Sequence, residues 1–486
     1  MADGRWQMAD IAVRYLDTFS STGYLGQQPS VNGHRTRFCS NTRKFYFCKN
    51  THLLKNILYA FGLMALLNSC NNSAPVAEKT ADTAYKAPVP GTLTEKEMKH
   101  YKTELTSFFD SMLLGRGFSG GILVAKNGTI VYENYAGFAD VGRKVPITDT
   151  SSIHIASTSK TFMGVAILGL VQDSLLSLED SIQKFFPALP YPGVTVKMLL
   201  NHRSGMPNYL YFMSEGKWDK SKQVTNADVL NALYTEKPNR SFSPGRRFSY
   251  SNTNFVLLAL IMEKITGLPY PQYMKVKYFD PLHMNNTFVC TLNELDRMIP
   301  SFNYNGTIWD NDFLEGTYGD KNIYSTPRDL LKWDQALYTE QLLKKSWLDS
   351  AFAPYSNDRP SVHNYGLGFR MLNLKNGKKV IYHFGRWHGC NAVFARLMDE
   401  KATIIILGNK YNRNIYHTAN KAYDLFGNYL QGGGNEEDEN APVESKPTPK
   451  KAASRKEPVK KAAPSKKTTA KKAGPVKKTD TKKKTK

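Results

Sequence analysis

The strongest constraint on this fold is that strand-like stretches occur near both ends of the chain and are separated by helical sequence. Gly120 to Tyr132 reads as a hairpin, with the apolar runs Ile122–Ala125 and Ile130–Tyr132 on either side of Asn127-Gly128, a two-residue turn in which both positions need positive φ. The strand pattern returns between Tyr365 and Lys410. There Tyr365–Leu374 and Lys379–Phe384 flank Asn376-Gly377, and Val393–Met398 and Ala402–Leu407 flank Asp399-Glu400. Two front strands and three or four back strands must share one sheet if each is to bury its apolar face. The expected class is therefore α/β (α+β), an antiparallel sheet flanked by helices with an inserted, mostly helical subdomain. Thr94-Glu-Lys-Glu97 has the capping-box pattern and opens a helix with Met98, Tyr101, Leu105, Phe108 and Met112 on one face. Ile415, Ala419, Ala422, Phe426 and Leu430 make a closing helix.

Composition bounds the rest. The 486 residues carry a net charge of +23, which at first points to nucleic acid. Lys446 to Lys486, however, holds about 17 Lys and Arg against two acids, so this one Lys/Ala/Pro segment supplies most of the excess. Such a tail cannot bury a core. It suits an anionic cell-surface polymer and does not predict a specific nucleic-acid partner. Lys44, Lys49 and Lys55 precede the apolar run Ile57–Leu67, which ends at Leu66-Leu67-Asn68-Ser69-Cys70. A basic segment, a short apolar core and a small residue before the break describe an export signal. The run is short for a membrane span. Cys70 is then the expected lipidation site and the route to a membrane anchor. The expected organisation is an unassigned extension over 1–54, a signal segment with a lipobox-like cysteine over 55–70, a linker over 71–93, a domain over 94–430 and a disordered tail over 431–486. Five cysteines without Cys-x-x-Cys spacing form neither a disulfide framework nor a zinc site, and spacing alone does not pair Cys290 with Cys390.

Three stretches carry chemistry. Ser157-Thr-Ser-Lys160 runs into the apolar stretch Met163–Val171, so Ser157 opens a buried helix and shares a face with Lys160. A serine hydroxyl needs a base, and a lysine held in a poorly solvated site can serve. Tyr250 and Asn252 follow the Pro244-Gly245 turn two residues apart and project to the same side of an extended segment. His383-Phe384-Gly385 lies at the start of a late strand or its turn, before Arg386, Trp387 and His388. His202, near Ser204-Gly205, reads as structural at a helix end.

Taken together and in this order, the stretches resemble the serine β-lactamase and penicillin-binding-protein-like superfamily, on its class C and DD-peptidase branch. The resemblance covers roughly residues 95–430. It rests on Ser157-x-x-Lys160, Tyr250-x-Asn252 and His383-x-Gly385, with Leu199–Pro207 and Tyr324–Leu330 as accompanying stretches. It implies an acyl-enzyme on Ser157, with the proton handled by Lys160 and Tyr250. Asn252 would orient Lys160 and a substrate amide. The oxyanion hole would be formed by the backbone N–H groups of Ser157 and Arg386, and no metal or organic cofactor is implied. His383 stands where the β-lactamase form has a lysine, and Phe384 where it has a hydroxyl. Arg386 is a candidate carboxylate clamp, with pairing to a neighbouring acid as the other reading. Trp387 and His388 are candidates for the pocket wall or for packing. The expected function is an exported serine acyl hydrolase acting on a small-molecule or peptide ester, amide or D-amino-acid peptide. The alternatives are a catalytically silent binder of cell-wall components and, through the tail, a polyanion binder.

Overall fold

The computed structural model describes residues 85–429. The extension, the signal segment with Cys70, residues 71–84 of the linker and the basic tail lie outside the described residues. Helix α1 (Glu95–Met112) opens with the capping box read from the sequence: the Thr94 side chain accepts from Glu97 N, and Glu97 returns the bond to the Thr94 backbone. Strands β1 (Gly120–Lys126) and β2 (Thr129–Ala136) follow, turning at Asn127 (φ 52°) and Gly128 (φ 78°). Two short hairpin strands, β3 (Phe138–Asp140) and β4 (Val145–Pro146), lead to β5 (Ile153–His154) and a 3₁₀ turn at Ala156–Thr158.

The middle of the chain is helical. Here run α2 (Ser159–Gln172), α3 (Val196–Leu200), α4 (Tyr209–Glu215), α5 (Asn226–Thr235), α6 (Thr253–Thr266) and α7 (Tyr270–Met274). Short strands β6 (Phe288–Val289), β7 (Ser301–Phe302), β8 (Ile308–Trp309) and β9 (Ile323–Ser325) precede α8 (Pro327–Ala336) and α9 (Lys345–Ala351). The back of the sheet is β10 (His363–Tyr365), β11 (Arg370–Asn373), β12 (Lys379–Trp387), β13 (Cys390–Leu397) and β14 (Ala402–Gly408), and α10 (Asn414–Ala422) closes the fold.

The main sheet has seven strands in the order β10-β11-β12-β13-β14-β1-β2. The two ends of the chain meet where β1 lies antiparallel to β14, with Gly120 opposite Gly408 and Lys126 opposite Ala402. Both faces of these strands are covered, so alternation sorts apolar residues between two cores. Leu123, Phe394, Ile405 and Leu407 face the helical half with α2. Ile122, Val124, Val393, Ile404 and Ile406 face α1 and α10. Twelve of the 14 residues of α2 are buried, and Phe162 on it stacks on Trp333 of α8 at 4.1 Å.

Several expectations needed correction. The back of the chain supplies five strands, because His363–Tyr365 is split from Arg370–Asn373 by a turn through Gly366 and Gly368. Leu176–Pro187, which reads as a short helix stopped by Pro187, contains only a 3₁₀ turn at Ile182–Lys184, since its backbone is held by loop hydrogen bonds such as Ile182 N to Val194 O at 3.0 Å. β12 extends to Trp387, so His383-Phe384-Gly385 sits within a strand rather than at its start. Residues 85–93 form neither helix nor strand but are hydrogen-bonded to the domain, with Gly91 N on Asn127 O at 2.7 Å and Lys86 N on Gln341 Oε1 at 2.7 Å. Cys290 and Cys390 are both buried free thiols.

Candidate active site

The nucleophile turn is built by strand pairing. Ile155 N donates to Ile323 O at 3.0 Å, and β5 pairs with β9, fixing the chain just before Ser157. Ala156 then takes φ 47°, a left-handed conformation that disfavours a Cβ by about 1–2 kcal/mol. That backbone reversal lets α2 begin directly beside β12. Thr158 Oγ1 donates to His383 O at 3.2 Å, and Ile323 N donates to Ser159 Oγ at 3.2 Å. Ser157 is partly accessible, whereas Thr158, Ser159 and Lys160 are buried.

Lys160 is fully buried, and its Nζ donates to three acceptors. They are Ser157 Oγ at 3.1 Å, Asn252 Oδ1 at 2.8 Å and the Asp320 carbonyl at 2.7 Å. Three acceptors match the three protons of an ammonium group. The Tyr250 ring lies 5.0 Å from Nζ and the Phe255 ring 5.5 Å. Tyr250 and Asn252 lie in the loop before α6, and the structure brings both beside Lys160.

That loop is held by His202. Its φ is 56°, just past the end of α3, and its carbonyl accepts from Ser249 N at 2.8 Å. Its Nδ1 accepts from Ser251 N at 3.2 Å, and its ring lies 4.1 Å from that of Tyr250. Burial, and then the charge of Lys160, keep His202 neutral with its pKa well below the ordinary histidine value. The structural reading of His202 fits this placement.

On the opposite wall, Gly385 brings β12 against the nucleophile turn. A Cβ on Gly385 would lie 2.1 Å from Ile155 O and 3.1 Å from Ser157 N, so only glycine permits this approach. His383 lies on the same strand face. It is fully buried, its Nε2 is 3.1 Å from Tyr365 Oη, and its Nδ1 is 2.7 Å from Phe384 O. Burial, then Arg370, then Lys160 hold His383 neutral, with its pKa well below the usual range. It therefore offers no cation where a lysine would. Phe384 points to the other face and stacks on Tyr416 at 5.1 Å. Alternation puts the Arg386 side chain on that same face, away from Ser157, which argues against the carboxylate clamp.

Trp387 and His388 turn toward Glu315. Trp387 Nε1 donates to Glu315 Oε2 at 3.1 Å, and His388 Nε2 is 2.6 Å from Glu315 Oε1. Burial raises the Glu315 carboxyl, but the His388 contact and nearby charges outweigh it and leave the pKa lowered. Among the described residues, Asp312, Glu315 and His388 bring potential metal ligands within 4.8 Å of one another. The oxygens of Glu315 are already hydrogen-bonded within the protein, so this cluster reads as a hydrogen-bonded brace at the end of β12.

Sequence reasoning missed the Asp320 carbonyl, because a main-chain acceptor leaves no residue signature. Behind it, Tyr209 Oη donates to Asp320 Oδ2 at 2.8 Å, and Lys321 Nζ donates to Tyr209 Oη at 2.9 Å. It also missed Tyr365 and Arg370, which the ends of β10 and β11 bring beside His383.

Comparison with known proteins gives the family and the fold. The Beta-lactamase family profile matches residues 106–428. Penicillin-binding protein 4* of Bacillus subtilis is 31% identical over 345 residues, which cover 67% of this chain and 75% of that protein. The octameric penicillin-binding protein homologue from Pyrococcus abyssi superposes with TM-score 0.59 at 26% identity, covering 67% of this chain and 77% of that one. D-amino acid amidase from Ochrobactrum anthropi shares the fold, with TM-score 0.57 at 24% identity over 66% of this chain and 98% of that one. Matched over most of its described length and carrying Ser157, Lys160, Tyr250 and Asn252 in one cluster around the buried Lys160, the chain belongs to the Beta-lactamase family, within the serine β-lactamase and penicillin-binding-protein-like superfamily.

Proposed function

We propose that the protein is a serine acyl hydrolase that forms an acyl-enzyme on Ser157. The observation that carries this reading is the 3.1 Å contact between Lys160 Nζ and Ser157 Oγ, inside a site where Asn252 and the Asp320 carbonyl saturate the ammonium group. A cation at that distance stabilises a developing serine alkoxide. Lys160 and Tyr250 share the work of taking the serine proton and passing it to the leaving group. The attacked carbonyl carbon bonds to Ser157 Oγ, and its oxygen takes the negative charge. Backbone N–H groups of Ser157 and Arg386 would receive that oxygen. Water then releases the acyl group from Ser157.

The substrate class we favour is an ester, amide or D-amino-acid peptide rather than a β-lactam antibiotic. A neutral, buried His383 and a Phe384 turned away from the cleft remove the cation and the hydroxyl that a β-lactam carboxylate would use. The D-amino acid amidase likeness is compatible with this reading. We further propose that the protein is exported and lipidated at Cys70, which follows from the sequence pattern around Ile57–Leu67.

The test is intact mass of the purified protein after incubation with a fluorescent penicillin, a fluorophosphonate and p-nitrophenyl esters, beside Ser157→Ala. The expected result is an adduct or ester turnover that requires Ser157. Labelling that persists in Ser157→Ala, or no labelling of folded protein by any reagent, refutes the nucleophile assignment. A stable penicillin adduct without ester turnover would favour a penicillin-binding protein without hydrolytic function.

A further inference from the structure

A second buried lysine stands behind Lys160. Lys321 is 3% exposed, yet its hydrogen bonds go to uncharged oxygens. Its Nζ donates to Tyr209 Oη and to the Leu314 carbonyl, both at 2.9 Å, to the Thr317 carbonyl at 3.4 Å, and to Thr317 Oγ1. A buried ammonium among neutral partners is costly unless a nearby anion offsets it. The nearby anion is Asp320, which is also buried. Tyr209 on α4 connects the two, because Tyr209 Oη accepts from Lys321 and donates to Asp320 Oδ2 at 2.8 Å. Burial, then the negative charge of Asp320, push the Tyr209 hydroxyl well above its usual pKa. It stays a phenol and hands the Lys321 hydrogen bond on to the carboxylate.

Asp320 is also the residue whose main-chain carbonyl accepts from Lys160 Nζ at 2.7 Å. One residue thus lies between two lysines, with Lys160 on its carbonyl and Lys321, through Tyr209, on its carboxylate. Lys321 touches the opposite wall as well. Its Nζ is 4.7 Å from the Trp387 ring, and Trp387 follows Arg386 on β12. The remaining groups that titrate around Lys321 are His154, Asp312, Glu315 and His388. Around Lys160 they are His202, His383, Tyr250 and Arg370. All of these are unchanged by a substitution at Lys321, so such a substitution isolates its charge. In a buried site that charge is little screened by salt.

We propose that Lys321 is a positioning residue for acyl transfer: through Tyr209 and Asp320 it fixes the carbonyl that holds Lys160, and its charge offsets the Asp320 carboxylate so that the Lys160 and Tyr250 pair is ready to take the Ser157 proton at a lower pH. The proposal rests on the acyl-enzyme reading at Ser157. A nearby cation lowers the proton affinity of an amine and of a phenol alike, and an uncompensated carboxylate raises both. The direction of the effect is therefore the same whichever of Lys160 and Tyr250 is the base.

The test is the pH dependence of fluorophosphonate labelling. In that reaction Ser157 Oγ bonds to phosphorus, fluoride leaves with the P–F electron pair, and the Ser157 proton goes to the Lys160 and Tyr250 pair. Full-length wild type, Lys321→Gln, Lys321→Met and Tyr209→Phe are labelled from about pH 5 to about pH 10, with urea melts in parallel. Lys321→Gln keeps two N–H donors and removes the charge. Tyr209→Phe keeps the charge and cuts the connection. In both Lys321 variants the midpoint of the rising limb should move up by about half a pH unit to one unit, so that labelling below the midpoint slows by about three- to tenfold. Tyr209→Phe should lower the plateau rate without moving the midpoint up. An unchanged midpoint in a folded Lys321 variant is what a merely structural lysine gives, and it overturns the proposal. If neither Lys321 variant folds, Tyr209→Phe decides: a slower plateau upholds the positioning role, and a wild-type rate overturns it. Ser157→Ala in the same series separates the two levels. Labelling that needs Ser157 but shows no midpoint shift refutes the role of Lys321 alone, whereas labelling that persists in Ser157→Ala refutes the acyl-enzyme reading beneath it.

Discussion

Replacing Gly385 with alanine tests how closely β12 must approach the nucleophile. The new Cβ would lie 2.1 Å from Ile155 O. Carbon and oxygen ordinarily approach no closer than about 3.3 Å, so the strand or the turn must retreat by about 1.2 Å. Neither side is a flexible side-chain end. β12 is held between β11 and β13, and Ile155 is tied to Ile323. A misplacement of about 1 Å typically lowers rate by about 10²-fold, and loss of one oxyanion donor by about 10²–10³-fold. Overpacking should also destabilise the fold by about 1–3 kcal/mol. The assay is the rate of fluorophosphonate adduct formation on Ser157, with urea unfolding in parallel. Gly377→Asn is the control, because Gly377 occupies a turn with φ 85° and has nothing within 4 Å of its virtual Cβ. Near-wild-type labelling by a folded Gly385→Ala protein would refute the idea that the cleft is set by this contact.

Lys160→Met removes the cation beside Ser157 Oγ and should lower acylation by about 10²–10⁴-fold, read as adduct formation over time; a loss below tenfold would remove Lys160 from the proton work. Tyr209→Phe deletes the donor to Asp320 Oδ2 and should cost about 1–3 kcal/mol in urea melts while slowing acylation through the displaced Asp320 carbonyl; unchanged stability and rate would mean that the carbonyl is fixed without it. Three buried histidines should make the fold acid-sensitive. Burial is the main cause of the lowered pKa of His202 and His383 and brings His154 to about 3. The unfolded chain takes up protons below about pH 6.5 that the folded chain refuses, so stability falls with decreasing pH by about 1.4 kcal/mol per unit for each histidine. Unfolding free energies that stay level from pH 7 to pH 5 would contradict this. Removal of residues 441–486 should leave ester hydrolysis intact while abolishing retention on a polyanion column; retention by the truncated protein would take the charge effect away from the tail.

The sequence alone determined the parts of this protein that depend on local chemistry. Asn127-Gly128 required a tight hairpin because both residues accept positive φ, and Thr94 with Glu97 marked a helix start. Ser157-x-x-Lys160 put two side chains on one helical face by geometry alone. What the sequence could not determine was set by contacts between distant segments. The pairing of β1 with β14 joins strands from opposite ends of the chain, and no local pattern encodes that register. The Asp320 carbonyl reaches Lys160 only because β9 pairs with β5, and a backbone acceptor has no side-chain identity to read. His383 is neutral and Arg370 stands beside it for the same reason. Burial and neighbouring charge decide a group's protonation, and both exist only after the strands have packed.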